Sequence, residues 1–210
     1  MFDNALPPAS LALLQDINGE LRQSGFYLAG GTGLALQLGH RVSEDLDFFT
    51  ETGFDPAVVA RHLEGKPGYL ETMASTGTLH CGVAGVKLSF LHYRVPLKQP
   101  TVEYLSVRVA DWRDILAEKF KTLSQRGCRR DFYDIYACFI LKRLSIAEGV
   151  SLFKARFAGT GVNYQHVAKS LSWFGDADSD AEPHLLMPVE WPTVRRFFDS
   201  SAAEFARLLA

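Results

Sequence analysis

A chain of 210 residues with 47% apolar side chains can bury a sizeable core, which excludes disorder as a description of the whole. Its 22 basic and 24 acidic side chains leave a formal charge of -2, excluding histone-like binding through a global polycationic field, so any nucleic-acid contact needs a local patch. No leader-like segment follows Met1, no apolar run approaches the roughly 18–20 residues of a membrane span, and Cys81, Cys128 and Cys138 form no CxxC pair; a cytoplasmic protein with free thiols, no membrane partner and no structural zinc is expected.

Leu11, Leu14, Ile17 and Leu21 recur at helical spacing and predict an amphipathic helix over 9–24, with Ser24-Gly25 as its stop. A strand follows at Phe26-Tyr27-Leu28. Gly30-Gly31 predicts a turn, Leu34, Leu36 and Leu38 a short helix ended by Gly39, and Leu46-Asp47-Phe48-Phe49 a strand. Asp55-Pro56 opens another helix, with Asp as cap and Pro in the first turn. β-rich runs separated by Gly-containing turns, at 69–75, 78–83, 86–93 and 102–109, predict a small mixed sheet. The texture changes near Asp111: helices are expected at about 111–125, 130–142, 145–156, 163–174 and 192–209. Asp176–Glu182 and the following Pro-containing segment read as a surface loop. The class is therefore α+β, with the sheet in the first half.

The sharpest local pattern is Asp45-Leu46-Asp47-Phe48. On a strand the two aspartates share one face while Leu46 and Phe48 supply burial on the other. Paired carboxylates repel unless a cation lies between them, and hard oxygen ligands suit Mg²⁺ or Mn²⁺; the alternative is a strand edge whose acids face water. Upstream, Gly30-Gly31-Thr32 joins a strand to a helix, where free amides and the Thr hydroxyl can cradle a phosphate. An ordinary turn is the competing reading, since the run is neither a Walker loop nor a dinucleotide fingerprint. Lys119 falls inside the apolar stripe of Trp112, Ile115, Leu116, Phe120 and Leu123, so it must snorkel or meet a carboxylate. Asp131 and Asp134 share a face of a helix that is apolar nearly all round, with Phe132, Ile135, Tyr136, Phe139 and Ile140 on one side; they are either helix-start acids or partners for Lys119 or Arg130. Arg126, Arg129 and Arg130 form a basic cluster able to meet phosphates or simply water. The six histidines lack HxxxH or HExxH spacing, and no GxSxG elbow supports a hydrolase.

The run from Leu28 to Phe49, holding both Gly30-Gly31-Thr32 and Asp45-Leu46-Asp47, resembles the first motif of the AbiEii/AbiGii toxin family of nucleotidyltransferases. Ile115–Phe120 and Arg126 through Arg130-Asp131-Phe132-Tyr133-Asp134-Ile135-Tyr136 resemble its later motifs, in the same order. The resemblance implies a polymerase β-like nucleotidyltransferase core over 1–110 and a helical region over 111–210 packed on it. It implies a divalent metal, Mg²⁺ or Mn²⁺, at Asp45 and Asp47. It also implies NTP phosphates at Gly30, Gly31, Thr32 and Lys119, and catalytic roles for Lys119 and Asp131, the latter positioning Lys119 or helping to activate the acceptor. Members studied as toxins act beside an antitoxin protein, and some transfer nucleotides from NTP to the 3′ end of tRNA. One departure stands out: enzymes of this superfamily often carry a third carboxylate on a later strand, where Val86–Phe90 offers Ser89. The expected activity is NMP transfer from NTP to an acceptor hydroxyl, with RNA foremost. The alternatives are a catalytically weak, regulatory nucleotide- or partner-binding member, or nucleotidylation of a protein at the same site.

Overall fold

The computed structural model describes residues 1–23 and 25–210, the side chains at 18 and 20–23 excepted, so the predicted apolar contact of Leu21 and the stop at Ser24 lie outside the described residues. The chain divides into two compact units, Met1–Asp111 and Trp112–Ala210. In the first, Pro8 opens helix α1 (Pro8–Gln23), its fixed φ suiting the first helical position. Leu14 and Ile17 bury as the periodicity requires, joined by Leu13. Helices α2 (Gly30–Leu38) and α3 (Pro56–Leu63) follow, and Asp55 caps α3 by accepting from the Ala57 amide.

Seven strands form one mixed sheet: β1 (Tyr27–Leu28), β2 (Leu46–Thr50), β3 (Leu70–Ser75), β4 (Thr78–Val83), β5 (Val86–His92), β6 (Val102–Tyr104) and β7 (Val107–Val109). Their spatial order is β3-β4-β5-β2-β1-β7-β6. β2 runs parallel to β5, and β1 to β7. A parallel pair needs a crossover, which α3 and the β3–β4 hairpin supply between β2 and β5. The single β-rich run predicted over 102–109 is two strands. Leu105 and Ser106 take φ of 49° and 63°, the paired left-handed conformation of a tight hairpin turn. α1 packs on β5 and β7, α2 on β2, and α3 on β3 and β4.

The second unit is helical: α4 (Trp112–Arg126), α5 (Arg129–Leu141), α6 (Ile146–Phe157), α7 (Tyr164–Ser170), α8 (Gly175–Ser179) and α9 (Trp191–Leu209). α5 is buried continuously from Asp131 to Phe139, but Ile140 is 46% exposed, against its predicted inward position: it lies in the last turn, where the chain leaves the core. Ser145 and Glu148 close a capping box at the start of α6. The helix predicted over 163–174 ends at Ser170, and part of the acidic stretch predicted as a loop is the short helix α8. Arg129 draws that stretch onto α5, donating to the carbonyls of Ala177 and Asp178 and to Glu182. Among the described residues no helix is long and apolar enough to cross a membrane.

Candidate functional site

β2 carries Asp47, with Asp45 just ahead of it, on the face that its alternation dictates. Leu46, Phe48 and Thr50 are buried, whereas Asp47 and Phe49 are half-buried. Phe48 stacks on Phe90 of β5 at 5.2 Å, which anchors the strand from below. Asp45, one residue ahead of β2, and Asp47 line a cleft of about 370 Å³ with Thr72, His80, Lys87 and Ser89.

The glycine pair is not a turn ahead of a helix; Gly30 is itself the first residue of α2. Ala29, at the N-cap, provides no side-chain acceptor, and its amide donates to the Asp47 carbonyl at 2.9 Å. The first-turn N–H groups of α2 therefore start beside β2 without a side-chain cap, the arrangement that favours an anion. Gly30 has φ +61°, and a Cβ there would lie 2.5 Å from Asp47 Oδ2, so the backbone can pass the carboxylate only as glycine. A Cβ on Gly31 would run into the Arg41 guanidinium.

Thr32 is wholly buried and turns inward. Its hydroxyl donates to the Asp45 carbonyl and hydrogen-bonds the Ser43 hydroxyl at 2.9 Å. It thus fixes the acid pair from behind, where sequence reasoning expected an extra phosphate donor. Gly30, Gly31, Thr32, Asp45 and Asp47 are brought together within the first unit.

Ser89 stands beside Asp47 as its register partner on β5, and His80 of β4 is in turn the partner of Ser89. His80 Nδ1 lies 3.1 Å from Ser89 Oγ. Carboxylate, hydroxyl and imidazole therefore form one row across three strands. Sequence reasoning missed His80, which no local spacing singles out; the signal is the pairing of β4 with β5. Burial first, and Glu71 second, push the thiol of Cys81, next to it, up to about 11.

Lys119 and Asp131 are brought together within the second unit. The lysine ammonium reaches Asp131 Oδ1 at 2.7 Å and Asp134 Oδ2 at 2.5 Å, with side-chain exposures of 6%, 0% and 0%. Arg126 adds a bidentate pair, Nε to Asp131 Oδ2 at 2.7 Å and Nη2 to Oδ1 at 2.9 Å. Burial by itself raises the Asp131 carboxyl, but Lys119 and the Arg126 hydrogen bonds outweigh it and hold the group below the usual carboxylate range. Arg126 and Arg129 are thus engaged by protein acceptors, while Arg130 is exposed. A second buried network, Arg156 with Asp114 at 2.8 Å and Glu118 at 2.9 Å, had no signal in the sequence beyond its charges.

Among the described residues no group of three or more His, Cys, Asp or Glu is placed to hold a metal by itself. The two carboxylates at 45 and 47 fit Mg²⁺ or Mn²⁺ in another way: such ions keep several waters and take one or two protein carboxylates plus substrate phosphates.

Two crystal structures from Helicobacter pylori share this architecture. One, of a candidate nucleotidyltransferase, superposes with a TM-score of 0.57 at 18% identity over 97% of each chain. The other, JHP933, gives 0.56 at 18% identity over 99% of this chain and 94% of its own. At that identity the likeness shows the fold, that of the polymerase β-like nucleotidyltransferases. The uncharacterized protein aq_aa25 of Aquifex aeolicus is 32% identical over 188 residues, 86% of this chain and 87% of its own. The family model of the nucleotidyl transferase AbiEii toxin, type IV toxin–antitoxin system, matches residues 12–76 and 84–210.

Proposed function

Because the chain belongs to the AbiEii nucleotidyltransferase toxin family, we propose that it moves an NMP from an NTP to the hydroxyl of an RNA, tRNA foremost, as the toxin of a toxin–antitoxin pair with a protein antitoxin. The observation that carries the reading is local: the uncapped start of α2 and the Asp45/Asp47 pair are held together by Gly30, Thr32 and the Ala29 amide. A triphosphate at those amides meets the carboxylates at once. Asp45 and Asp47 would hold Mg²⁺ or Mn²⁺, which supplies charge neutralisation at the α-phosphate and the leaving pyrophosphate. Gly30 and Gly31 offer backbone N–H groups to phosphate oxygens, and Thr32 keeps the Asp45 backbone in place. In the helical region, two of the three N–H donors of Lys119 are directed at Asp131 and Asp134; the third is assigned to the triphosphate. Asp131 orients Lys119. Residues 1–110 serve as the nucleotidyltransferase core and 111–210 as the helical region that supplies this lysine, all in the cytoplasm.

Asp45→Ala and Asp47→Ala are expected to abolish pyrophosphate release with circular dichroism unchanged; wild-type rates in either variant would sink the assignment. Ser89 beside Asp47, where a third carboxylate was sought, favours a second reading, a regulatory member that binds nucleotide without turning it over. Nucleotide binding by calorimetry with no pyrophosphate released would mark that outcome.

A further inference from the structure

We propose that His80 takes the proton from the attacking acceptor hydroxyl, with Ser89 fixing its imidazole in the cleft beside Asp47; the assignment rests on the transfer reading above. Asp47, Ser89 and His80 occupy directly paired positions on β2, β5 and β4, so their side chains leave the same face of the sheet, and all three line the same cleft. Adjacent strands are about 4.8 Å apart, which puts the imidazole two strand spacings from the Asp47 backbone, room enough for a hydroxyl and a phosphorus between them. His80 is half-buried, open to the cleft and stiffened at its backbone by Thr72, whose hydroxyl donates to the His80 carbonyl at 3.1 Å.

The tautomer that serves as a base is the one in which Nδ1–H donates to Ser89 Oγ across the 3.1 Å contact, which leaves the lone pair on Nε2. In the step, the acceptor oxygen forms a bond to the α-phosphorus and its proton passes to Nε2. The bond from the α-phosphorus to the bridging oxygen breaks, and its electron pair leaves on pyrophosphate. No oxidant or further reactant is needed. A purely structural Ser–His pair would pin β4 to β5 and nothing more, yet these strands are already paired over six positions.

The test is single-turnover transfer from NTP to RNA, with nucleotide affinity measured alongside. His80→Ala is expected to lower the transfer rate about 10²–10⁴-fold, to leave nucleotide affinity within twofold, and to regain rate when imidazole is added. His80→Gln, which retains an amide for Ser89, is expected to lose as much as His80→Ala. Adding Ser89→Asp to His80→Ala, which sets a carboxylate base next to Asp47, is expected to restore at least tenfold. Undiminished transfer by His80→Ala, or a loss that neither imidazole nor Ser89→Asp repairs while His80→Gln stays active, overturns the assignment and leaves the transfer reading intact. No transfer by the wild type overturns both.

Discussion

At Gly30 the two halves of the candidate site meet at one backbone atom. The left-handed φ of +61° and the 2.5 Å approach to Asp47 Oδ2 act together, so Gly30→Ala adds backbone strain and displaces the carboxylate. It is expected to cost about 1 kcal/mol or more in unfolding free energy and to remove transfer activity. Thermal melts and pyrophosphate assays check both; an unaltered melt and rate would show that the apposition is incidental. Asp45, Asp47 and their buried neighbours were legible in the sequence because a strand's period of two is a local property. The inward turn of Thr32 was not, since its partner is a carbonyl 13 residues away, nor was the place of His80, which depends on which strands pair.

At the scale of the element, α4 and α5 are joined by charge. Three buried or half-buried cations and acids, Lys119, Asp131 and Asp134, satisfy one another with Arg126 at the margin. Replacing Lys119 with Met leaves two carboxylates in an apolar core with one cation, and is expected to destabilise the protein by about 3–5 kcal/mol, read as a fall in the urea midpoint. A midpoint shifted by less than a tenth of that would contradict the network. The sign for acid follows from the lowered Asp131 carboxyl. Its contribution is complete above the unfolded value of 3.8 and is lost as pH falls through the lower folded value. Melting temperature is therefore expected to drop with a component confined below pH 3.8, and Asp131→Asn should remove that component. A loss already finished at pH 5 would assign acid sensitivity to other groups. The stripe position of Lys119 was readable from helical periodicity, and its need for a carboxylate from desolvation. Element ends were read less well: α2 starts at Gly30, the 102–109 run folds back at Leu105-Ser106, and α7 stops at Ser170, each set by backbone conformations that residue type only weakly dictates.

Across the whole molecule, the α+β class and the change of texture near Asp111 were visible in the sequence. The order β3-β4-β5-β2-β1-β7-β6 was not, because it is set by pairings between distant segments, two of them parallel. That order places β5 beside β2 and β4 beyond it, and so decides which side chains share the cleft of the acid pair. Family membership makes the chain an AbiEii-family nucleotidyltransferase, in which Asp45 and Asp47, beside the start of α2, are proposed to carry the transfer to RNA. The most direct measurement offers each radiolabelled NTP with Mg²⁺ or Mn²⁺ and total RNA to the wild type and to Asp47→Ala. Label in RNA with the wild type alone is the expected result, and it names the nucleotide. Equal labelling by Asp47→Ala, or bound nucleotide with no label moved by the wild type, would contradict that assignment.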